Sequence, residues 1–282
     1  MNNAIRLVST RNNTFSLLAF LAAAAMSAFV AQAQVVTLTD GNSRASVNLQ
    51  GPGTLGMNSW TVNDINQLSQ QWFWYRVGAT PQQPINTLGG LTYSSAGNYL
   101  TATYNANGFS IRVDYQLSGG MPGGSDWTSD ITETISVQNR SATQLNFHFF
   151  QYSDFDLLGT PGGDSVTIFN NGSGYNRATQ TKGATRISET IDSPAATRAE
   201  AALFGQTLAN LNGGVYDLNN NVTAGPDNVT WALQWDHLLN PNETWIVFKD
   251  KFLSVEPIPE PGFLGLAALG LAAFALRRAR RA

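Results

Sequence analysis

Three aspartates close together carry the clearest chemical signal in the chain. Asp154 and Asp156 stand two apart in the run from Tyr152 to Asp156, and Asp164 follows on the segment Gly159-Thr-Pro-Gly-Gly-Asp164. On a strand, residues two apart share a face and lie about 6 to 7 Å from one another. Two carboxylates at that spacing, with a third returning on the glycine-rich loop, could hold calcium through oxygen ligands. They could equally serve as the acid and base of a glycosidase, or sit solvated at a strand end beside a turn. The sequence leaves all three readings open. A catalytic cleft would need further carboxylates to converge on them, and Asp130 and Glu133 are candidates.

Other chemistries are narrower. The chain has no cysteine and only two histidines, His148 and His237. Thiol catalysis, cysteine metal sites and disulfides are therefore excluded, and a multi-histidine zinc site is not available. His148 lies six residues from Asp154, about 20 Å along an extended strand, which is too far for a dyad. Asp236 and His237 are adjacent, so on a strand they face opposite ways. No nucleophile elbow occurs; Asn171-Gly-Ser-Gly174 reads as a turn. No cofactor is called for apart from the calcium considered above. Among the aromatics, Trp72 and Trp74 share one face, Phe73 and Tyr75 the other, and Trp231 and Trp235 again share a face. Trp72 and Trp74 could stack on sugar rings, or all of these could be core.

The elements that must position these groups read as strand after strand. Residues 35–38, 45–49, 72–77, 99–104, 109–117, 131–137, 145–155, 166–169, 229–235 and 244–252 are rich in β-branched and aromatic side chains. Asn-Gly and Gly-Gly pairs between them supply turns. From Phe109 to Leu117 the odd positions are apolar and the even ones polar, the period of a half-buried antiparallel strand. One stretch differs: Ser193-Pro194 followed by the alanine-rich residues 195–204 predicts a short helix. An all-β antiparallel sandwich of ten or more strands with one short helix is the expected fold. The long paired strands across residues 131–157, and the aromatic hairpin around Asn240-Pro-Asn-Glu243, resemble the large two-sheet sandwich of sugar mutarotase-like domains.

Both ends read as processing signals. Arg6 and Arg11 precede an apolar run over residues 15–31, and Ala31-Gln32-Ala33 offers a small-x-small site with cleavage before Gln34. That is the layout of a secretory signal peptide over residues 1–33. At the other end, Pro257-Ile-Pro259-Glu260-Pro261 can form neither helix interior nor central strand. An apolar stretch over 262–276 follows, short for a permanent span of about 20 residues. Arg277, Arg278, Arg280 and Arg281 come next and would be held on the cytoplasmic side. Pro259-Glu260-Pro261, an apolar helix and terminal arginines resemble the PEP-CTERM sorting signal, here over residues 257–282. The resemblance implies a Gram-negative bacterium and transient retention in its inner membrane. It also implies processing by an exosortase after signal peptidase, and surroundings rich in exopolysaccharide or biofilm.

The mature region, residues 34–256, stands apart from those ends in charge. Six of the 16 basic residues and one of the 19 acidic residues lie in the ends, which leaves a net charge of about −8. A nucleic-acid partner needs a basic footprint and is not expected. The leading expectation is a non-enzymatic surface or matrix protein acting by adhesion or polysaccharide binding. The alternative is a carbohydrate-active enzyme or mutarotase-like sugar-binding domain using Asp154, Asp156 and Asp164.

Overall fold

Side-chain alternation along the strands decides the layers of this protein. The computed structural model describes residues 33–256 apart from Gly124. The expected signal peptide through Gln32, with Ala31, lies outside the described residues, as does the sorting tail from Pro257, with its Pro-Glu-Pro and arginines. Among the described residues no helix is long and apolar enough to cross a membrane.

The chain builds two nine-stranded antiparallel sheets by crossing repeatedly between them. It opens in sheet A with β1 (Val35–Asp40), β2 (Ser43–Asn48), β3 (Gly56–Val62), β4 (Ile65–Asn66), β5 (Leu68–Val77) and β6 (Gln83–Pro84). It crosses to sheet B for β7 (Thr92–Ala96), β8 (Tyr99–Asn105), β9 (Phe109–Gly119) and β10 (Thr128–Asn139). β11 (Leu145–Phe155) returns to sheet A, and β12 (Asp164–Asn170), β13 (Tyr175–Lys182) and β14 (Thr185–Ser193) extend sheet B. β15 (Arg198–Leu203), helix α1 (Gln206–Gly213), β16 (Thr223–Asp227), β17 (Val229–Leu239) and β18 (Thr244–Ser254) complete the fold. The spatial order is β1-β2-β3-β5-β11-β17-β15 in sheet A and β16-β12-β13-β14-β18-β10-β9-β8-β7 in sheet B.

The inner faces meet in an aromatic core. From sheet A come Phe73, Phe147, Phe149, Phe155, Trp231 and Trp235; sheet B answers with Ile111, Val113, Leu117, Ile131, Ile135 and Val247. Phe73 stacks on Phe149 at 5.3 Å, and Phe155 on Trp231 at 6.3 Å. The alternation expected from Phe109 to Leu117 is present, with odd positions buried. Trp231 and Trp235 therefore share a face, and that face is core.

The helix lies elsewhere than predicted. Residues 198–203 pair with β17 as strand β15, and Ala199 and Ala201 are fully buried in that pairing. Alanine favours a helix only weakly, and here a whole edge of backbone donors and acceptors on β17 outweighs that preference. The one α-helix among the described residues follows immediately, with Gly205 at its N-cap and the Gly213-Gly214 pair ending it.

Candidate functional site

The register of sheet A sets its outer face. Across β5, β11 and β17, one row of directly opposed residues is Arg76, His148 and Asp236. The next row on that face is Trp74, Phe150, Gln234 and, on β15, Arg198. The one after is Trp72, Tyr152, Ala232 and Glu200. Charged groups thus gather at one end of the central strands. The segment after α1 then lays Tyr216, Asp217 and Leu218 over them.

These groups form one connected network. Asp236 Oδ1 lies 2.6 Å from His148 Nδ1 and accepts from Gln234 Nε2 at 2.8 Å. Gln234 Nε2 also reaches Asp217 Oδ1 at 2.8 Å, and Arg76 Nη2 donates to that same oxygen at 2.5 Å. Arg76 Nη1 donates to the Tyr216 carbonyl at 3.1 Å, and the guanidinium lies over the Phe150 ring. Leu218 N–H donates to Gln234 Oε1 at 2.9 Å, so the segment is fastened to the sheet through its backbone. Arg198 Nε stands 3.9 Å from Asp236 Oδ2. Exposure grades outward, from 3% for the Arg76 side chain to 12% for His148, 27% for Asp236 and 44% for Asp217. Beside this network, Glu200 accepts from Thr207 Oγ1 at 2.6 Å and from the Tyr216 hydroxyl at 2.5 Å, tying α1 and its tail down.

The electrostatics follow from these contacts. Burial raises the carboxyls of Asp217 and Asp236, but hydrogen bonds from Arg76 and Gln234 outweigh it and hold the Asp217 carboxyl below the usual range. His148 and Gln234 do the same for Asp236 against the same effect of burial. Both carboxylates are therefore ionised at neutral pH, and neither is a proton donor.

His148, Asp217 and Asp236 also bring one possible ligand atom each within 4.8 Å of one another. The donor chemistry does not favour a metal there. Asp217 Oδ1 already takes two N–H donors, and a cation would have to displace a buried guanidinium from it.

The three aspartates singled out from the sequence lie elsewhere. Asp154 ends the regular part of β11 on the outer face, where the register shifts between Asp154 and Phe155. The strand stops at Phe155, so Asp156 does not continue the period-two spacing expected of the pair. Asp164 opens β12 in sheet B, accepts from Gln180 Nε2 at 2.9 Å and faces Lys182 Nζ at 3.6 Å. Asp154 and Asp164 are both buried. Burial first, then the neighbouring charge of Asp156, pushes the Asp154 carboxyl up to about 7. Burial likewise raises Asp156 and Asp164, with Lys182 opposing. Asp130 and Glu133 do not join them. Asp130 is raised to about 7 by burial and by its neighbour Asp250, on the outer face of sheet B. Glu133 lies in the inter-sheet core against Lys249 and Lys251.

Trp72 and Trp74 share a face, as their spacing requires, and line an open groove of about 500 Å³ with Leu55, Gln70, Pro84 and Leu208. Their rings are almost wholly covered, at 1% and 3% exposure. Their indole N–H groups are taken by Asn86 and Asn212. A second groove, of about 400 Å³, borders Asp236 and is lined by Thr197, Trp235, His237 and Trp245. There His237 stacks on Trp245 and lies 2.9 Å from Glu243. Sequence reasoning missed Arg76, Arg198, Asp217 and Gln234, and missed the pairing of His148 with Asp236. That pair is 88 residues apart and becomes adjacent only through strand register.

Comparison with known proteins separates the fold from the tail. No curated protein matches the sequence. Among solved structures, a bacterial glucoamylase complexed with acarbose is 8% identical with a TM-score of 0.58. That match covers 86% of this chain and 35% of the glucoamylase, so the chain spans about a third of that protein. A galactose mutarotase-like protein from Clostridium acetobutylicum is 10% identical with a TM-score of 0.53, covering 80% of this chain and 96% of that one. At such identities the likeness shows a shared sandwich fold alone. The C-terminal residues are specific where the fold is not. Over residues 257–281 the chain carries the PEP-CTERM protein-sorting motif, which marks it as an exported, exosortase-sorted protein.

Proposed function

We propose that this is a non-catalytic surface or matrix protein that binds polysaccharide on the outer face of sheet A and acts in adhesion or biofilm association. The observation that carries the reading is the half-exposed array of Asp217, Asp236 and Arg198 over a hydrogen-bonded base of buried Arg76 and Gln234 and half-buried His148. Planar carboxylate and guanidinium groups held rigid from below suit pairs of sugar hydroxyls, and a few convergent polar groups beside a groove are the usual form of a small-ligand site. Both carboxylates are held ionised, so the pair lacks the protonated carboxyl of a glycosidase, which supports binding over hydrolysis. The reading extends to the life of the chain. Signal peptidase would cut after Ala33, and the tail would hold the protein briefly in the inner membrane of a Gram-negative cell before exosortase removes it. A glycan array probed with the purified protein tests the binding. Retention of an acidic or neutral polysaccharide by the wild type, reduced in Asp217→Asn, is expected; an array with no retained glycan would overturn it.

One observation favours an enzyme instead. Asp236 fixes His148 through Nδ1 at 2.6 Å, an arrangement that leaves Nε2 to exchange protons with a ligand. On this reading the domain is a carbohydrate-active enzyme working through His148 and Asp236. Turnover of an aldose or oligosaccharide that disappears in His148→Ala would establish it.

A further inference from the structure

The inter-sheet core holds four charged side chains that the outer-face network does not use. Glu133 on β10, Glu189 on β14, and Lys249 and Lys251 on β18 are all buried between the sheets. Lys249 is directly opposite Glu133, and Lys251 opposite Glu189, in the strand register. Lys251 bridges the two carboxylates, at 2.5 Å from Glu133 Oε1 and 3.7 Å from Glu189 Oε2. Lys249 contacts Glu133 Oε2 and lies 3.3 Å from Glu189 Oε1.

The fifth member comes from the other sheet. Gln151 of β11 points into the same cluster: its Oε1 accepts from Lys249 Nζ, and its Nε2 donates to Glu189 Oε2 at 2.7 Å and to Ser153 Oγ at 3.1 Å. A lysine nitrogen, a carboxamide and two carboxylates therefore meet in a pocket closed by Phe73, whose ring centroid is 5.1 Å from Nζ. Tyr115, opposite Glu133 on β9, is also buried there.

We propose that Lys249 and Gln151 become joined by an isopeptide bond, a covalent cross-link between the two sheets. In a dry site an ion pair tends to neutralise by passing its proton across, so Glu133 takes a proton from Lys249 and leaves the neutral amine. Burial lowers the basicity of Lys249 against the pull of both carboxylates and also favours a protonated Glu133, while the charges of Lys249 and Lys251 hold the Glu133 carboxyl below its usual range and oppose the transfer. The Nζ lone pair then forms a bond to Gln151 Cδ, and the Cδ–Nε2 bond breaks. Glu133 gives its proton to the leaving nitrogen, which departs as ammonia, and takes back the one proton that the attacking amine loses as it becomes the amide. Amine and carboxamide become a secondary amide and ammonia, and no oxidant or co-reactant is consumed. Glu133, Glu189 and Lys251 are left with one proton more than two carboxylates and an ammonium require, so the pocket stays neutral. Glu133 is the acid–base catalyst of the step. Glu189 is a positioning residue, holding Nε2 as the leaving group. Such a link would give a cysteine-free extracellular domain the covalent tie that disulfides supply elsewhere.

Tryptic peptide mapping of the full chain tests this without any variant. Trypsin should fail to cut after Lys249, and the peptide of residues 199–251 should appear joined to that of residues 141–177. The joined mass should fall short of the sum by about 17 Da, one ammonia. Separate peptides 141–177 and 199–249 at full mass would overturn the proposal. A shortfall of about 18 Da mapping to Glu133 or Glu189 would also overturn it, since that is loss of water from a carboxyl. Glu133→Gln should give the unlinked peptides, and linked peptides in that variant would remove Glu133 from its role.

Discussion

Replacing Asp154 with asparagine should make the protein more resistant to unfolding at alkaline pH. The Asp154 side chain is 3% exposed, Oδ1 has no hydrogen-bond partner, and Asp156 and Asp164 add like charge nearby. Its carboxyl is raised from 3.8 to about 7. An acid raised on folding keeps its proton in the native state longer than in the unfolded chain. Its contribution is therefore fully present below about pH 4 and is lost as pH rises through 7. At about 1.4 kcal/mol per pH unit, ionising it costs the native state roughly 4 kcal/mol by pH 9, of which roughly 2–3 kcal/mol accrues between pH 5 and pH 9. Asparagine fills the same space and carries no charge at either pH. Urea unfolding of wild type and Asp154→Asn at pH 5 and pH 9 reads the difference. The variant should gain on the wild type by roughly 2 kcal/mol across that interval. Parallel pH dependence of the two proteins would refute the assignment of a buried, strained carboxyl.

Further perturbations separate the parts of the account. Gly56 has φ +84°, and a Cβ there would lie 2.3 Å from the Gln71 carbonyl and 2.6 Å from the Trp72 ring. Gly56→Ala should therefore cost about 2–4 kcal/mol in chemical denaturation, far above a surface change. Millimolar zinc should leave the melting temperature unmoved, because Arg76 and Gln234 already satisfy Asp217; a rise of several degrees that is lost in His148→Ala would assign a metal to the His148 group. Replacing Pro259-Glu260-Pro261 by alanines should leave the tail attached and the protein mislocalised, as fractionation and immunoblotting would show. Unchanged processing would remove the motif's role.

What the sequence reveals here depends on the range of the interaction. Alternation within Phe109 to Leu117 is local and reads directly as a half-buried strand. The sorting motif is local as well, and the Pro-Glu-Pro with its arginines is recognisable from side-chain order alone. The stretch from Arg198 to Leu203 misleads because its fate is set by β17, some thirty residues away. Strands β13 and β14 are full of threonine, serine and charge, and their buried faces are too sparse to stand out before pairing. The same limit applies to the site. Asp154 and Asp156 look like a regular strand pair because they are neighbours in the chain, yet the strand ends between them, and they stay near enough, with Asp164, to feel one another's charge. His148 looks isolated until β17 is laid beside β11, and Gln151 looks like an ordinary strand glutamine until β18 faces it from the other sheet.

The central claim is that the Asp217–Asp236–Arg198 array is a ligand surface. Titration calorimetry with the polysaccharide retained on the array, on wild type and on the double variant Asp217→Asn, Arg198→Ala, tests it most directly. Both residues are well exposed, so the fold should survive their replacement. The account predicts binding weakened by about a hundredfold or more, as expected for two anchoring polar groups. Equal affinity in the two proteins would place the ligand elsewhere and contradict it.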